Sequence, residues 1–238
     1  TAKFGGTSLA TASQIKKVAA IIKAKPERKY IVASAPGKRT SDDTKITDML
    51  YKCHAKAIYN QDFSSNLAKI SQRYEEIINE LGIDFDLASE IKELQENMQK
   101  FTTPDYAASR GEYINSKIIA KYLGWPFVDA KELIFFDERG QLDEAKTFTT
   151  MGEKLKALDH AVIPGFYGAL PDGSIKTFSR GGSDVTGSIV ARSVKADLYE
   201  NWTDVSGMLS ADPRIVSNPS VIKYITYTEL RELSYMGA

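Results

Sequence analysis

Twice near the start of the chain a short apolar run stops at a glycine-bearing turn and gives way to a helical pattern, and this recurrence restricts the fold more than any other feature. Ala2, Lys3 and Phe4 lead into Gly5-Gly6-Thr7-Ser8, after which Ile15, Val18, Ala19 and Ile22 fall on one helical face. The second instance is "KYIVASAPGKR", with an apolar strand at 30–33, a turn at 34–37 and a helical pattern from about Asp43. Strands joined through helices pair in parallel, because a tight hairpin cannot return the chain in the same direction. The pattern therefore predicts an α/β fold with a parallel β-α-β beginning.

The rest of the chain extends that plan. Residues 61–100 are rich in Glu, Lys, Gln, Leu and Ile at helical periods, which predicts helices. Short extended candidates follow at 125–130 ("WPFVDA") and 133–138 ("LIFFDE"), then at 160–170 ("HAVIPGFYGAL") and 174–180 ("SIKTFSR"). A helix is expected from Ser183 as its N-cap, a strand near Leu198 and a last helix near Tyr227. No repeat or low-complexity linker interrupts the 238 residues, so one mixed α/β domain is expected, with a division into two lobes left open.

Composition removes several function classes. Basic and acidic residues balance at 31 each, so no positive field favours nucleic acid. The single cysteine, Cys53, excludes an intrachain disulfide framework, and the first residues do not read as a signal segment; a cytoplasmic protein is expected. No run approaches the roughly 18 apolar residues of a spanning helix, so no membrane role is expected.

Three glycine-bearing clusters carry the chemistry. In "KFGGTS", Lys3 sits just before a turn whose amides can face an anion, although a bare glycine pair also serves an ordinary strand-to-helix turn. The cluster has neither Walker spacing nor a dinucleotide fingerprint. "SRGGSDVTGS" is denser: Gly181 and Gly182 permit a sharp turn, and the amides of the helix start would face a negative ligand. Alternatively, Asp184 complements the helix dipole and Arg180 pairs with a surface carboxylate. "NWTDVSGMLSADPR" adds Thr203, Asp204 and Arg214 beside further turns. Together the clusters suggest a nucleotide polyphosphate cradled by glycine loops and neutralised by cations during phosphoryl transfer.

These stretches, with "SAPGKR", "ITDML" and "SRGE" at 109–112, resemble the catalytic domain of the aspartokinases, members of the amino acid kinase family, in the family's order and across nearly the whole chain. The resemblance implies a carbamate kinase-like fold with a mainly parallel sheet flanked by helices on both sides. It implies ATP-dependent phosphorylation of the β-carboxylate of L-aspartate, the first step of the lysine, threonine and methionine branch. It places Lys3 at the transferring phosphoryl group and Asp184 as the organiser of that lysine. Gly5, Gly6, Thr7, Ser34, Gly181 and Gly182 then fall on phosphate-facing loops. Thr47, Glu112, Arg180 and Ser183 hold aspartate, with the arginine on a carboxylate and the glutamate on the ammonium. Thr203, Asp204 and Arg214 bind ATP. The resemblance assigns aspartate to an N-terminal lobe of about 1–165 and ATP to a C-terminal lobe of about 166–238.

The implied chemistry suits the composition. A carboxylate nucleophile is already ionised at neutral pH, so positioning and charge neutralisation carry the catalysis without a histidine base. His54 and His160 are read as structural, no zinc-ligand cluster is apparent, and Mg²⁺ is expected to arrive with ATP. By composition alone, Glu112 and Thr47 are ordinary helix residues; their assignment rests on the resemblance. Two departures stand out: Gly207-Met208-Leu209 replaces an aromatic position, so apolar cover of the adenine is expected, and the chain ends at "ELSYMGA" before the family's lysine-bearing nucleotide stretch. ACT regulatory domains, common in the family, do not follow, so a catalytic fragment of a homo-oligomeric protein is expected. The alternatives are a sister kinase for another acidic substrate and a non-catalytic binding or assembly module of the same fold.

Overall fold

A computed structural model of the chain describes residues 1–100, 103–179, 181–205, 207–212 and 215–235. It divides into two compact units, Thr1–Trp202 and Thr203–Ala238.

The first unit is built on a four-stranded parallel sheet. β1 (Ala2–Phe4) lies between β2 (Tyr30–Ala33) and the late strand at Glu200–Trp202, and β2 pairs in turn with β3 (Ala161–Pro164). The first three are almost entirely buried, as the near-continuous apolar runs of a covered parallel sheet require. Their crossovers are helical. α1 (Ala12–Lys23) starts where the Thr11 side chain accepts the amide of Gln14, and it buries Ile15, Val18, Ala19 and Ile22 as predicted. α2 (Ile46–Ala57) follows β2. α3 (Ser64–Leu81) and α4 (Leu87–Asn97) fill the expected helical stretch, α3 stopping at left-handed Gly82 and α4 starting from the Asp86 cap.

α5 (Asp105–Leu123) behaves unlike a surface helix. It packs against α2, α3, α4, β2 and β3, and it buries polar Ser109, Arg110, Glu112, Asn115 and Ser116 along with its apolar residues. Enclosure of this kind gives some of its polar atoms specific partners, as where Ser109 Oγ donates to Tyr106 O at 2.7 Å, and leaves Ser116 Oγ and Glu112 Oε2 unpaired among the described residues. Arg110 lies over the rings of Tyr113 at 4.1 Å and Tyr106 at 4.8 Å.

Several extended expectations require correction. Residues 125–130 and 133–138 form only isolated bridges, Phe127 to Val162, Phe135 to Ala169 and Phe136 to Leu142. Pro126 can accept from Val162 but has no N–H to return, and the Asp129 side chain caps a short 3₁₀ turn, Ala130–Glu132; both stop a ladder from propagating. The single apolar stretch at 160–170 is two strands. It breaks at Gly165 and Phe166, the latter at φ 84°, and then β4 (Tyr167–Ala169) turns back on β5 (Ile175–Thr177) as an antiparallel hairpin in a separate sheet. α6 (Glu144–Lys156) precedes β3, and α7 (Gly182–Ser193) connects β5 to β6 (Glu200–Trp202) while packing on β1 and β2. Ser183 is not the N-cap; Gly181 is, at φ 57° and ψ 26°, with no side-chain cap, because only the left-handed turn brings the chain into the helix here.

The second unit contains the expected last helix, α8 (Tyr227–Tyr235), and an isolated bridge between Leu209 and Val221. Among the described residues no helix is long and apolar enough to cross a membrane.

Candidate active site

The site lies in the first unit, where β1, β2 and the β5–α7 turn deliver their ends to one cavity of about 350 Å³. Its centre is an ion pair. Parallel register sets Lys3 opposite Asn201 on the neighbouring strand, so both side chains project to the same face of the sheet, toward α7. There Asp184 Oδ1 lies 2.7 Å from Lys3 Nζ and accepts Asn201 Nδ2 at 3.0 Å. The lysine side chain is 8% exposed and the aspartate 49%, so a buried cation meets a carboxylate open to the cavity. Solvent screens Asp184 but hardly reaches Lys3, which leaves the ammonium able to attract a second anionic partner.

The glycine turns bring backbone close to that cation. The Gly5 amide is tied to Trp202 O at 3.0 Å, and a Cβ built on Gly5 would lie 3.7 Å from Lys3 Nζ. Gly6 and Gly37 pack backbone against backbone. The Gly37 amide donates to Gly6 O at 2.8 Å, and a Cβ on Gly37 would come within 2.6 Å of the Gly6 carbonyl carbon, so no larger residue fits without separating the two loops. Across the cavity, α7 presents its first turn. Its earliest intrahelical acceptor is Gly181 O, which serves the amides of Asp184 and Val185, so the amides of Gly182 and Ser183 precede the helix ladder.

Glu112 occupies the opposite side. It is 6% exposed and has its Oε2 buried without a hydrogen-bond partner among the described residues. Burial pushes its carboxyl up to about 8, with only the Ala35 and Glu112 amides favouring the charged form. Glu112 lines the cavity, and a buried carboxyl oxygen left unpaired is a ready acceptor for a cationic or hydrogen-bond-donating group that reaches it.

Lys3, Gly5, Gly6, Ser34, Thr47, Glu112, Gly181, Gly182, Ser183 and Asp184 thus come together around one space, whereas Thr7 is exposed on a 3₁₀ turn, Thr7–Leu9, and does not line it. Thr203 and Asp204 belong to the second unit, where the threonine hydroxyl donates to the Asp204 carboxylate at 3.0 Å. Arg180 and Arg214 lie outside the described residues.

Other lining residues escaped the sequence reading. Lys45, Asp48 and Tyr51 join Thr47 along the start of α2, and Tyr51 stands four residues from Thr47, a helical spacing that could have drawn attention to it. Phe166 lines the cavity in its left-handed conformation, its amide donating to Thr186 Oγ1 at 3.1 Å. Strained backbone of this kind has no signature in sequence. Asn201 emerges only from strand register. His54 is buried in α2 and His160 stacks on Trp125 at 4.3 Å, both away from the cavity lining.

A parallel sheet whose strand ends deliver two glycine turns, a helix N-terminus and a buried lysine to one cavity defines a class, and the chain belongs to the amino acid kinase family, whose profile matches residues 2–238. The relatives narrow the likeness. Aspartokinase 3 of Bacillus subtilis is 37% identical over 99% of this chain and 55% of its own length, and chloroplastic aspartokinase 1 of Arabidopsis thaliana is 31% identical over 99% and 45%. The crystal structure of the aspartate kinase of Clostridium acetobutylicum superposes with a TM-score of 0.93 at 56% identity, covering 98% of this chain and 54% of that one. E. coli aspartokinase III, in complex with aspartate and ADP, shares the fold at a TM-score of 0.83 and 24% identity, over 98% of this chain and 55% of that chain. The chain therefore spans about half the length of each of these relatives.

Proposed function

We propose that this chain transfers the γ-phosphoryl group of ATP to the β-carboxylate of L-aspartate, giving 4-phospho-L-aspartate for the lysine, threonine and methionine branch. The observation that carries the reading is the Lys3–Asp184 pair at 2.7 Å, held beside the Gly5-Gly6 turn and facing Glu112 across one cavity. The similarity to aspartokinases of Bacillus subtilis and Clostridium acetobutylicum supports the choice of acceptor.

In this reading the acceptor carboxylate is the nucleophile as it stands, and the protein supplies position and charge. Lys3 draws electron density from the transferring phosphoryl oxygens, and Asp184 with Asn201 fixes the direction of its ammonium. Amides at the Gly5-Gly6 turn and at the start of α7 add dipoles toward the same oxygens. Glu112 takes the substrate ammonium on its unpartnered oxygen, Thr47 and Ser183 orient the amino acid, and Arg180 binds a carboxylate. ATP is held from the C-terminal side, with Thr203, Asp204 and Arg214 among its contacts, and aspartate from the N-terminal side. Mg²⁺ suits this donor set as an ion carried by the nucleotide, since the cavity offers separated carboxylates, Asp48, Glu112 and Asp184, and not a closed ligand cage. When bound it neutralises phosphate charge. The family's full-length proteins give the expectation of a homo-oligomer acting in the cytoplasm.

Hydroxamate trapping of acyl phosphate with Mg-ATP tests the reading, comparing L-aspartate, L-glutamate and no acceptor. An aspartate-dependent signal is expected. A stronger signal with L-glutamate would make the chain a sister kinase, and binding of aspartate with no acyl phosphate would make it a binding module.

A further inference from the structure

The segment between β2 and α2 forms one wall of the cavity, and its anchorage comes from outside the cavity. Arg73, on α3, is 5% exposed and does not line the site. Its Nη2 donates to Gly37 O at 2.8 Å and its Nη1 to Thr44 O at 2.9 Å. One planar guanidinium therefore holds both ends of the segment 37–44. The nearest carboxylate, Asp43, stands at 3.5 Å and is engaged more closely by Arg39 at 2.9 Å, while Arg73 Nε has no partner among the described residues. The two carbonyl bonds, more than ion pairing, thus govern where this buried cation sits.

Both anchor points lead directly to the site. Gly37 donates its amide to Gly6 O at 2.8 Å, so fixing Gly37 also fixes the glycine turn beside Lys3. Thr44 immediately precedes Lys45, the N-cap of α2, whose first turns carry Thr47, Asp48 and Tyr51 into the cavity. One further buried group completes the attachment: Asn115 Nδ2 donates to Ser34 O at 2.7 Å.

We propose that Arg73 is a positioning residue for the acceptor site: by clamping Gly37 and Thr44 from α3, it sets the distance between the Gly5-Gly6 turn and the first turns of α2. The inference rests on the proposed function for its kinetic readout and on geometry alone for its structural one. Lysine at this position keeps the charge but offers a single donor centre that cannot bridge two carbonyls in a plane.

The test is Arg73→Lys in the full chain, read by hydrogen exchange and by kinetics. Amides across 37–45 are expected to exchange about tenfold faster or more while those of α3 stay as in the wild type. The KM for L-aspartate is expected to rise by about tenfold, with the KM for Mg-ATP changed by less than about threefold. Faster exchange spread evenly over α3 and the sheet, or equal rises in both KM values, overturns the proposal, since either describes general loosening. If the wild type makes no aspartate-dependent product, the functional reading fails, and the exchange pattern still decides the clamp. If Arg73→Lys does not fold, Arg73→Gln takes its place: its single amide nitrogen cannot bridge both carbonyls, so exchange is again expected to quicken across 37–45 alone, and unchanged exchange there overturns the proposal.

Discussion

Lys3 is a strand residue with its ammonium buried, and such a charge tolerates burial only while something anionic faces it. Asp184 does so at 2.7 Å, and a phosphoryl group acquiring charge in the transition state would do so better than the same group at rest. Lys3→Ala is accordingly expected to lower kcat by roughly a hundred- to a thousand-fold with only a few-fold change in the KM for ATP; steady-state kinetics decides, and an equal loss in both would remove Lys3 from the transferring group. Glu112 poses the opposite problem, an acid with no cation beside it among the described residues. Its carboxyl is pushed up to about 8 by burial, so between about pH 4.5 and pH 8 the unfolded chain has released a proton that the folded one keeps. Folding then loses stability as pH rises through that window. Glu112→Gln, which cannot ionise, should melt at a higher temperature than the wild type at pH 8 and at a similar one near pH 4.5, by on the order of a few kcal/mol at the upper end. A constant difference at both pH values would contradict the burial argument. The same shift predicts that an ammonium-bearing substrate binds with release of a proton, so aspartate affinity should increase from pH 6 to pH 8 in the wild type and stay level in the variant. Lys3, Glu112 and Asp184 were legible because their motifs stand in order along the chain. Asn201 was not, since its place beside Lys3 follows from pairing two strands far apart in sequence.

Among elements, periodicity foretold α1, α2, the helices within 61–100, α7 and α8, because an apolar stripe at helical spacing survives whatever the tertiary context, but it gave no expectation of α6. It said little about α5, whose buried Ser109, Glu112, Asn115 and Ser116 give it the composition of a surface helix. The edge segments at 125–138 misled for a different reason: aromatic and β-branched residues suit an extended chain, yet Pro126 and the Asp129 cap prevent a ladder. Loops that meet backbone to backbone are likewise invisible until folded. Gly37→Ala tests that contact, since a methyl group there would enter the space of Gly6 and Thr7 at 2.6 and 2.7 Å. Spreading the two loops is expected to cost about 1–3 kcal/mol in thermal stability and to raise the KM for aspartate; a variant with wild-type melting and wild-type kinetics would show that the glycine is not required for close approach.

At the scale of the whole molecule, the division at Trp202 and Thr203 was hidden because "NWTDVSG" carries no compositional break, and the closure of the first unit was hidden because it joins residues from opposite ends of that unit. β6 is an edge strand placed beside β1 only after all the intervening helices, and short edge strands contribute few ladder bonds of their own. A side-chain cluster reinforces it. Arg28 Nε and Nη2 meet the two oxygens of Glu200 at 2.5 and 3.0 Å, Nη1 donates to Ile21 O, and the Trp202 indole donates to Glu200 at 3.2 Å beneath the same guanidinium. Both charged side chains are largely buried, at 10% and 18% exposure, so solvent screening weakens the pair only partly. The Arg28 hydrogen bonds hold the Glu200 carboxyl below its ordinary range. A depressed acid contributes stability above the unfolded value and loses it as pH falls through the folded one. Glu200→Gln should therefore reduce stability by about 2 kcal/mol near pH 7, a drop of roughly 4–8 °C in Tm for a unit of this size. Below about pH 4 the difference should shrink, because the wild-type carboxyl then approaches neutrality as well. Melting followed by circular dichroism at pH 7 and pH 3.5 measures both. A deficit that persists unchanged in acid would assign the loss to packing of the Glu200 side chain and not to its charge.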